Sequence, residues 1–182
     1  MLFVCTGNIC RSPIAERLFR ARVNGAAQVA AASAGVAGLV GHPMDALSAL
    51  ALRELGGDPD GHVGRELTEQ LIGEADLILT AGTAHRSAIV RLDPPVFRWT
   101  FTLREFGRLG AGLDPLPNTA TPDLLRVRVA HVASRRGTAE PVAPDADDIA
   151  DPFGAPVDVA RRCAQQVARA VDAAIALLGL AS

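Results

Sequence analysis

Short apolar runs alternate along the chain with stretches whose apolar residues recur at helical spacing. Leu2–Val4 is an apolar run that predicts a buried strand. It begins almost at Met1, which is compatible with a start further upstream. Ile14, Ala15, Leu18, Phe19 and Val23 follow at helical spacing, with Ser12 read as the N-cap, Pro13 as the first helical residue, and Asn24-Gly25 as the stop. A second strand is predicted over 28–33, then a glycine-rich loop through Gly35, Gly38 and Gly41. Helices are predicted over 45–55, 68–75 and 83–92. Strands are predicted over 76–80 and 96–101. Thr102-Leu-Arg-Glu105 is a capping-box signature. Residues 107–147 carry Gly, Pro and Asp clusters around one helical stretch, about 122–136, and read as an insertion within a single 1–182 domain. A long helix closes the chain, about 157–178. The alternation predicts an α/β fold: a four-stranded, parallel, twisted sheet with helices on both faces.

Composition narrows the chemistry. The 182 residues have a formal net charge of -2 and 49% hydrophobic content, which describes a chain able to form a core. There is no tyrosine. All 18 basic side chains are arginine. Lysine Schiff bases, lysine-dependent nucleotide loops and tyrosine acid/base chemistry are thereby excluded. The charge balance argues against a nucleic-acid partner. Arg161, Arg162, Arg169 and Asp172 interrupt the last apolar stretch, so no membrane span is expected. Three irregularly spaced cysteines suggest no disulfide scaffold, and a cytoplasmic setting is expected.

The chemistry concentrates in Cys5-Thr6-Gly7-Asn8-Ile9-Cys10-Arg11-Ser12, between a strand and a helix N-terminus. Such a loop can turn successive N–H groups inward onto an anion, with the helix end adding partial positive charge. Arg11 can grip two phosphate oxygens at once. Cys5 stands where these groups stabilise a thiolate, a nucleophile aimed at phosphorus. The plain alternative, a small buried cysteine ending a strand, does not account for the spacing to Arg11 and Ser12.

Val4–Pro13 resembles the phosphate loop of the low-molecular-weight protein tyrosine phosphatases, V-C-x-G-N-x-C-R-S-P, matching every fixed position. The resemblance runs from Leu2 to about Gly107 and again from Asp148 onward. It implies that Cys5 forms a phosphocysteine, that Arg11 binds the phosphoryl group, and that Ser12 hydrogen-bonds the thiolate. It also implies that Asn8 holds a strained turn supported by Ser33 and His62. The acid/base is implied in the Asp-Pro pair before the last helix, Asp151-Pro152. Asp58, Asp93 and Asp114 also precede prolines but lie elsewhere. A reversible Cys5–Cys10 disulfide is implied too, beside the simpler reading of Cys10 as a packing residue. Cys163 reads as core. Two substrate-rim positions fall on Phe153 and Leu39, and the family's Met-Asp after the third strand is Ala81-Gly82 here. Ile9 stands where the related protein-arginine phosphatases carry Thr.

The leading expectation is a phosphomonoester hydrolase acting on phosphotyrosine protein or small aryl phosphate, as a monomer or weak dimer. No cofactor and no metal are expected; His42, His85 and His131 read as surface or loop residues, and Asp147 and Asp148 as a solvated acidic loop. Arsenate reduction with an external thiol, protein-arginine phosphatase activity, and a low-turnover phosphate-binding or thiol-redox module remain as alternatives.

Overall fold

A computed structural model describes residues 1–23, 29–117, 121–143 and 145–181. Four short parallel strands, β1 (Leu2–Cys5), β2 (Ala32–Gly35), β3 (Ile78–Thr80) and β4 (Thr100–Thr102), form one sheet in the order β2-β1-β3-β4. The chain leaves β1 toward one edge and later returns to its other side. The carboxyl end of β1 is therefore the point where strand order reverses, the place where open α/β sheets bind ligands.

Side-chain alternation divides the core between the two faces of the sheet. Phe3, Leu79 and Phe101 pack with residues of α1 (Arg11–Arg22), α2 (Ala46–Glu54), α5 (Leu103–Gly110) and α7 (Val157–Leu177). Leu2, Val4, Ala34 and Ile78 pack with Ile72 of α3 (Glu69–Gly73), Ile89 of α4 (Thr83–Leu92) and Val96. Both faces are thus covered, as a parallel sheet requires.

Three sequence expectations shift. Ser12 is not the N-cap: α1 starts at Arg11 with Cys10 as its cap, so Ser12 lies in the first turn and its hydroxyl is free for other work. Pro13 is the third helical residue, still among the positions whose N–H has no helical acceptor. β2 begins at Ala32 rather than 28, where pairing with Leu2 begins. The stop at Asn24-Gly25 lies outside the described residues. The run 96–101 is mostly a 3-10 helix, Pro94–Trp99, because Pro94 and Pro95 favour a turn and contribute no N–H to a ladder; only Thr100–Thr102 pair with β3. The capping box at Thr102 and Glu105 is present in full.

The segment beyond α5 holds α6 (Pro122–Ser134) and a 3-10 turn, Arg135–Gly137. Val129 and Val132 join the main core cluster. Arg136 fastens the end of the segment. Its guanidinium donates to Glu105 Oε1 (3.0 Å), to the Phe97 carbonyl (2.6 Å) and to the Thr100 carbonyl (2.5 Å), and it stacks 4.0 Å from the Phe101 ring centroid.

Candidate active site

The turn after β1 returns immediately into α1, and glycines let neighbouring backbone close on it. A Cβ at Gly35 would lie 2.3 Å from the Thr6 carbonyl oxygen, so only glycine fits beside the loop. Asn8 stands at the loop's bend with φ +56°, the one described non-glycine residue in the left-handed region.

Asn8 is fully buried, and its neighbours fix its orientation. The Arg65 backbone N–H donates to Asn8 Oδ1 (3.0 Å), so that atom is the carbonyl oxygen. Asn8 Nδ2 then donates to Ser12 Oγ and to Ser33 Oγ, both at 2.9 Å. Ser33 passes its own proton to Glu16 Oε2 (2.5 Å), and Glu16 is paired with Arg20 at 2.8 Å. Ser12 Oγ accepts from Asn8, and its own proton has two acceptors within reach, Cys5 Sγ at 3.0 Å and the Ala34 carbonyl at 3.4 Å. The sulfur is the nearer of the two, so the Asn8–Ser12 pair presents a hydroxyl donor to Cys5.

His62 supports the same bend from outside: its Nε2–H donates to the Asn8 carbonyl at 2.7 Å. Burial lowers its basicity, with the Asn8 bond opposing. Asn8→Ala should cost about 3 kcal/mol of stability, because an L side chain would keep the left-handed strain while buried partners lose their bonds. Urea denaturation measures it; a loss below about 1 kcal/mol would show that the bend does not depend on Asn8.

Arg11 is buried beside the loop. Its guanidinium donates to the Ile149 carbonyl (3.1 Å), Asp151 Oδ2 (2.5 Å) and Thr6 Oγ1 (3.4 Å). Arg11 Nε is buried with no protein acceptor, a donor well suited to an oxyanion. The cleft of about 180 Å³ is lined by Cys5, Thr6, Gly7, Ile9, Cys10, Arg11, Ala37, Leu39, Asp151 and Phe153. Both expected rim residues, Leu39 and Phe153, therefore lie on it. Asn8, Ser12, Ser33 and His62 lie behind it. Cys10 and Cys5 are both free thiols, and burial pushes Cys10 up to about 12. Cys163 is core, as its helical spacing predicts. No group of three or more metal-ligating side chains occurs among the described residues.

Two expectations are corrected. His85 is neither surface nor loop: it is the third residue of α4, buried, with Nε2 2.9 Å from Thr6 Oγ1. Burial, then Arg11, lowers its basicity. Asp147 and Asp148 are anchors rather than a solvated loop. Asp147 pairs with Arg108 through both oxygens (3.1 and 2.6 Å). Asp148 accepts from the Thr83 N–H (2.7 Å) at the start of α4, and a Cβ at Gly82 would lie 3.1 Å from its carboxylate. Gly82 thus leaves room for a carboxylate supplied from far along the chain, and that carboxylate holds the base of the Asp151 loop. Helix position in three dimensions carried both signals; single-residue spacing did not.

A thiol and an arginine are held in one turn between a parallel strand and a helix, an arrangement able to hold an oxyanion in an α/β protein. The family model described as "Low molecular weight phosphotyrosine protein phosphatase" matches residues 1–108, and the chain belongs to this family. The low molecular weight protein-tyrosine-phosphatase Etp of Escherichia coli K12 is 47% identical over 96 residues, 53% of this chain and 63% of that protein, so the match spans less than two thirds of the relative. The probable phosphatase EpsP of Ralstonia solanacearum is 38% identical over 105 residues, covering 58% of this chain and 70% of that protein. Among solved structures, the YwlE arginine phosphatase of Geobacillus stearothermophilus superposes with TM-score 0.69 at 28% identity, over 95% of this chain and 88% of that one. The Erwinia amylovora tyrosine phosphatase AmsI gives 0.70 at 24% identity over 97% and 91%, a likeness of fold.

Proposed function

We propose that the chain is a phosphomonoester hydrolase acting on aryl phosphates, phosphotyrosine in protein foremost, through a phosphocysteine. The observation that carries this reading is Cys5, held by the Asn8–Ser12 pair, lining one cleft with Arg11 and Asp151. Cys5 Sγ attacks phosphorus in line. The S–P bond forms as the P–O bond to the leaving group breaks. Arg11 and the loop N–H groups hold charge on the equatorial oxygens.

At rest Asp151 is bound to Arg11. An incoming phosphate monoester competes for that guanidinium and frees the Asp151 carboxylate, which takes up a proton from solvent and gives it to the leaving oxygen as the P–O bond breaks. Asp151 then takes a proton from the water that cleaves the S–P bond and releases phosphate. Leu39 and Phe153 flank a flat ring. Among the described residues Asp151 is the single carboxylate lining the cleft, and Ile9 offers no hydroxyl, so a phosphoarginine guanidinium finds little to bind. No helix among the described residues is long and apolar enough to cross a membrane. We read 1–182 as one domain acting in the cytoplasm, without cofactor, with the 107–147 segment as an insertion.

The test compares phosphotyrosine, phosphoserine and phosphoarginine peptides, each with wild type and Asp151→Asn. Phosphotyrosine is expected to react at least about 100-fold faster than the others. Asp151→Asn should lower kcat about 100-fold on phenyl phosphate and less on p-nitrophenyl phosphate, whose leaving oxygen needs little protonation. Preference for phosphoarginine, or equal Asp151 effects on both aryl substrates, would overturn the assignment.

A further inference from the structure

We propose that His85 is a positioning residue that acts through Thr6 to hold the Arg11 guanidinium in the plane required by the reacting phosphoryl group. The inference rests on the phosphoryl-transfer reading above.

The argument starts from the Thr6 hydroxyl. Its oxygen lies within reach of two groups, Arg11 NH2 at 3.4 Å and His85 Nε2 at 2.9 Å. Arginine can only donate, so the oxygen accepts from Arg11. The hydroxyl proton can then go to His85 Nε2, a direction in which the ring is neutral and carries its proton on Nδ1. Burial and the nearby Arg11 charge favour the neutral ring; Asp148, Asp151 and a backbone bond to Gly82 oppose. The result is a directed chain, Arg11 N–H to Thr6 O–H to His85 N, in which each bond strengthens the next.

Arg11 needs this stop once substrate is bound. At rest its NH2 rests chiefly on Asp151, and NH1 on the Ile149 carbonyl. In the reaction Asp151 must leave for the leaving oxygen. NH2 then keeps one protein partner, Thr6, whose hydroxyl rotates freely unless His85 fixes it. Without His85 the guanidinium can tilt about the Ile149 contact, and its fit to two equatorial oxygens suffers most in the transition state, where charge on them is greatest. His85 itself is held at the start of α4, the helix whose first residue, Thr83, is tied through its N–H and hydroxyl to Asp148 at the base of the acid loop.

The experiment compares Thr6→Val, His85→Ala, the double variant and His85→Gln, whose side-chain amide can reach the same hydroxyl. Measured are kcat and KM on p-nitrophenyl phosphate, vanadate and phosphate dissociation constants by titration calorimetry, and melting curves. Each single variant should lose about tenfold in kcat/KM and bind vanadate about tenfold more weakly, with phosphate affinity moving less than about threefold. The double variant should be no worse than either single one, because both break the same chain. His85→Gln should return to within about threefold of wild type. A merely structural role would lower active protein without moving the vanadate constant. Unchanged vanadate affinity in the single variants, additive losses, or a Gln variant as impaired as Ala overturns the proposal. Wild-type turnover with unaffected variants sinks the positioning role alone. Absent wild-type turnover with the vanadate pattern intact sinks the phosphatase reading and leaves the positioning role standing.

Discussion

Cys5→Ser is expected to abolish turnover, with a loss of about 10⁴-fold or more in kcat, while inorganic phosphate still binds within about threefold of wild type. The two halves of this expectation follow from different groups. Attack on phosphorus requires an anion at the position of Cys5 Sγ. The Ser12 hydroxyl lies 3.0 Å from that sulfur and can donate to a thiolate there. One hydrogen bond cannot make an alkoxide at neutral pH, and Asp151 is engaged at rest by Arg11 and by the Phe153 N–H. Binding of the anion belongs to Arg11 and the loop N–H groups, which the substitution leaves in place. Stopped assays with p-nitrophenyl phosphate and calorimetric phosphate titration separate the two quantities. Activity near that of wild type would mean that water, not residue 5, attacks phosphorus.

Arg11→Lys should lower kcat about 10³-fold even though the charge is retained. The Arg11 side chain reaches Ile149, Asp151 and Thr6 through two terminal nitrogens, with Nε left for an oxyanion. A single ammonium cannot meet the carbonyl of Ile149 and two phosphoryl oxygens together. Binding of phosphate should weaken less than kcat falls, since the planar fork matters most as charge spreads over the equatorial oxygens. Kinetics paired with a melting curve check this. A loss under tenfold with an unchanged fold would assign the stabilisation to the backbone N–H groups alone.

How far the chain could be read in advance depends on whether an interaction is local. Thr102 and Glu105 were legible as a capping box because both partners lie within one helical turn. The apolar content of the run 96–101 fits a strand, whereas Pro94 and Pro95 impose a turn and leave three residues, Thr100–Thr102, to pair. Ser12 has the composition of a cap, yet the left-handed bend at Asn8 starts the helix two residues earlier and turns the hydroxyl to the sulfur. His85 carried no signal, since its partner Thr6 lies 79 positions away. Asp148 looked like one acidic residue among several, and only the space beside Gly82 shows why it is there.

The sequence by itself determined the nucleophile, the cation and the strand-loop-helix that carries them, because Cys5 through Ser12 are contiguous and a loop of that length admits few arrangements. It also determined the parallel α/β class, through alternating short apolar runs and helical periods. The tertiary structure alone decided what surrounds the loop: Ser33 and Arg65 orienting Asn8, His85 behind Thr6, and Asp151 on Arg11 across 140 residues. Those contacts are closed by the β2-β1-β3-β4 order, which gathers the ends of separate strands at one edge of the sheet, and no local pattern of residues encodes that meeting.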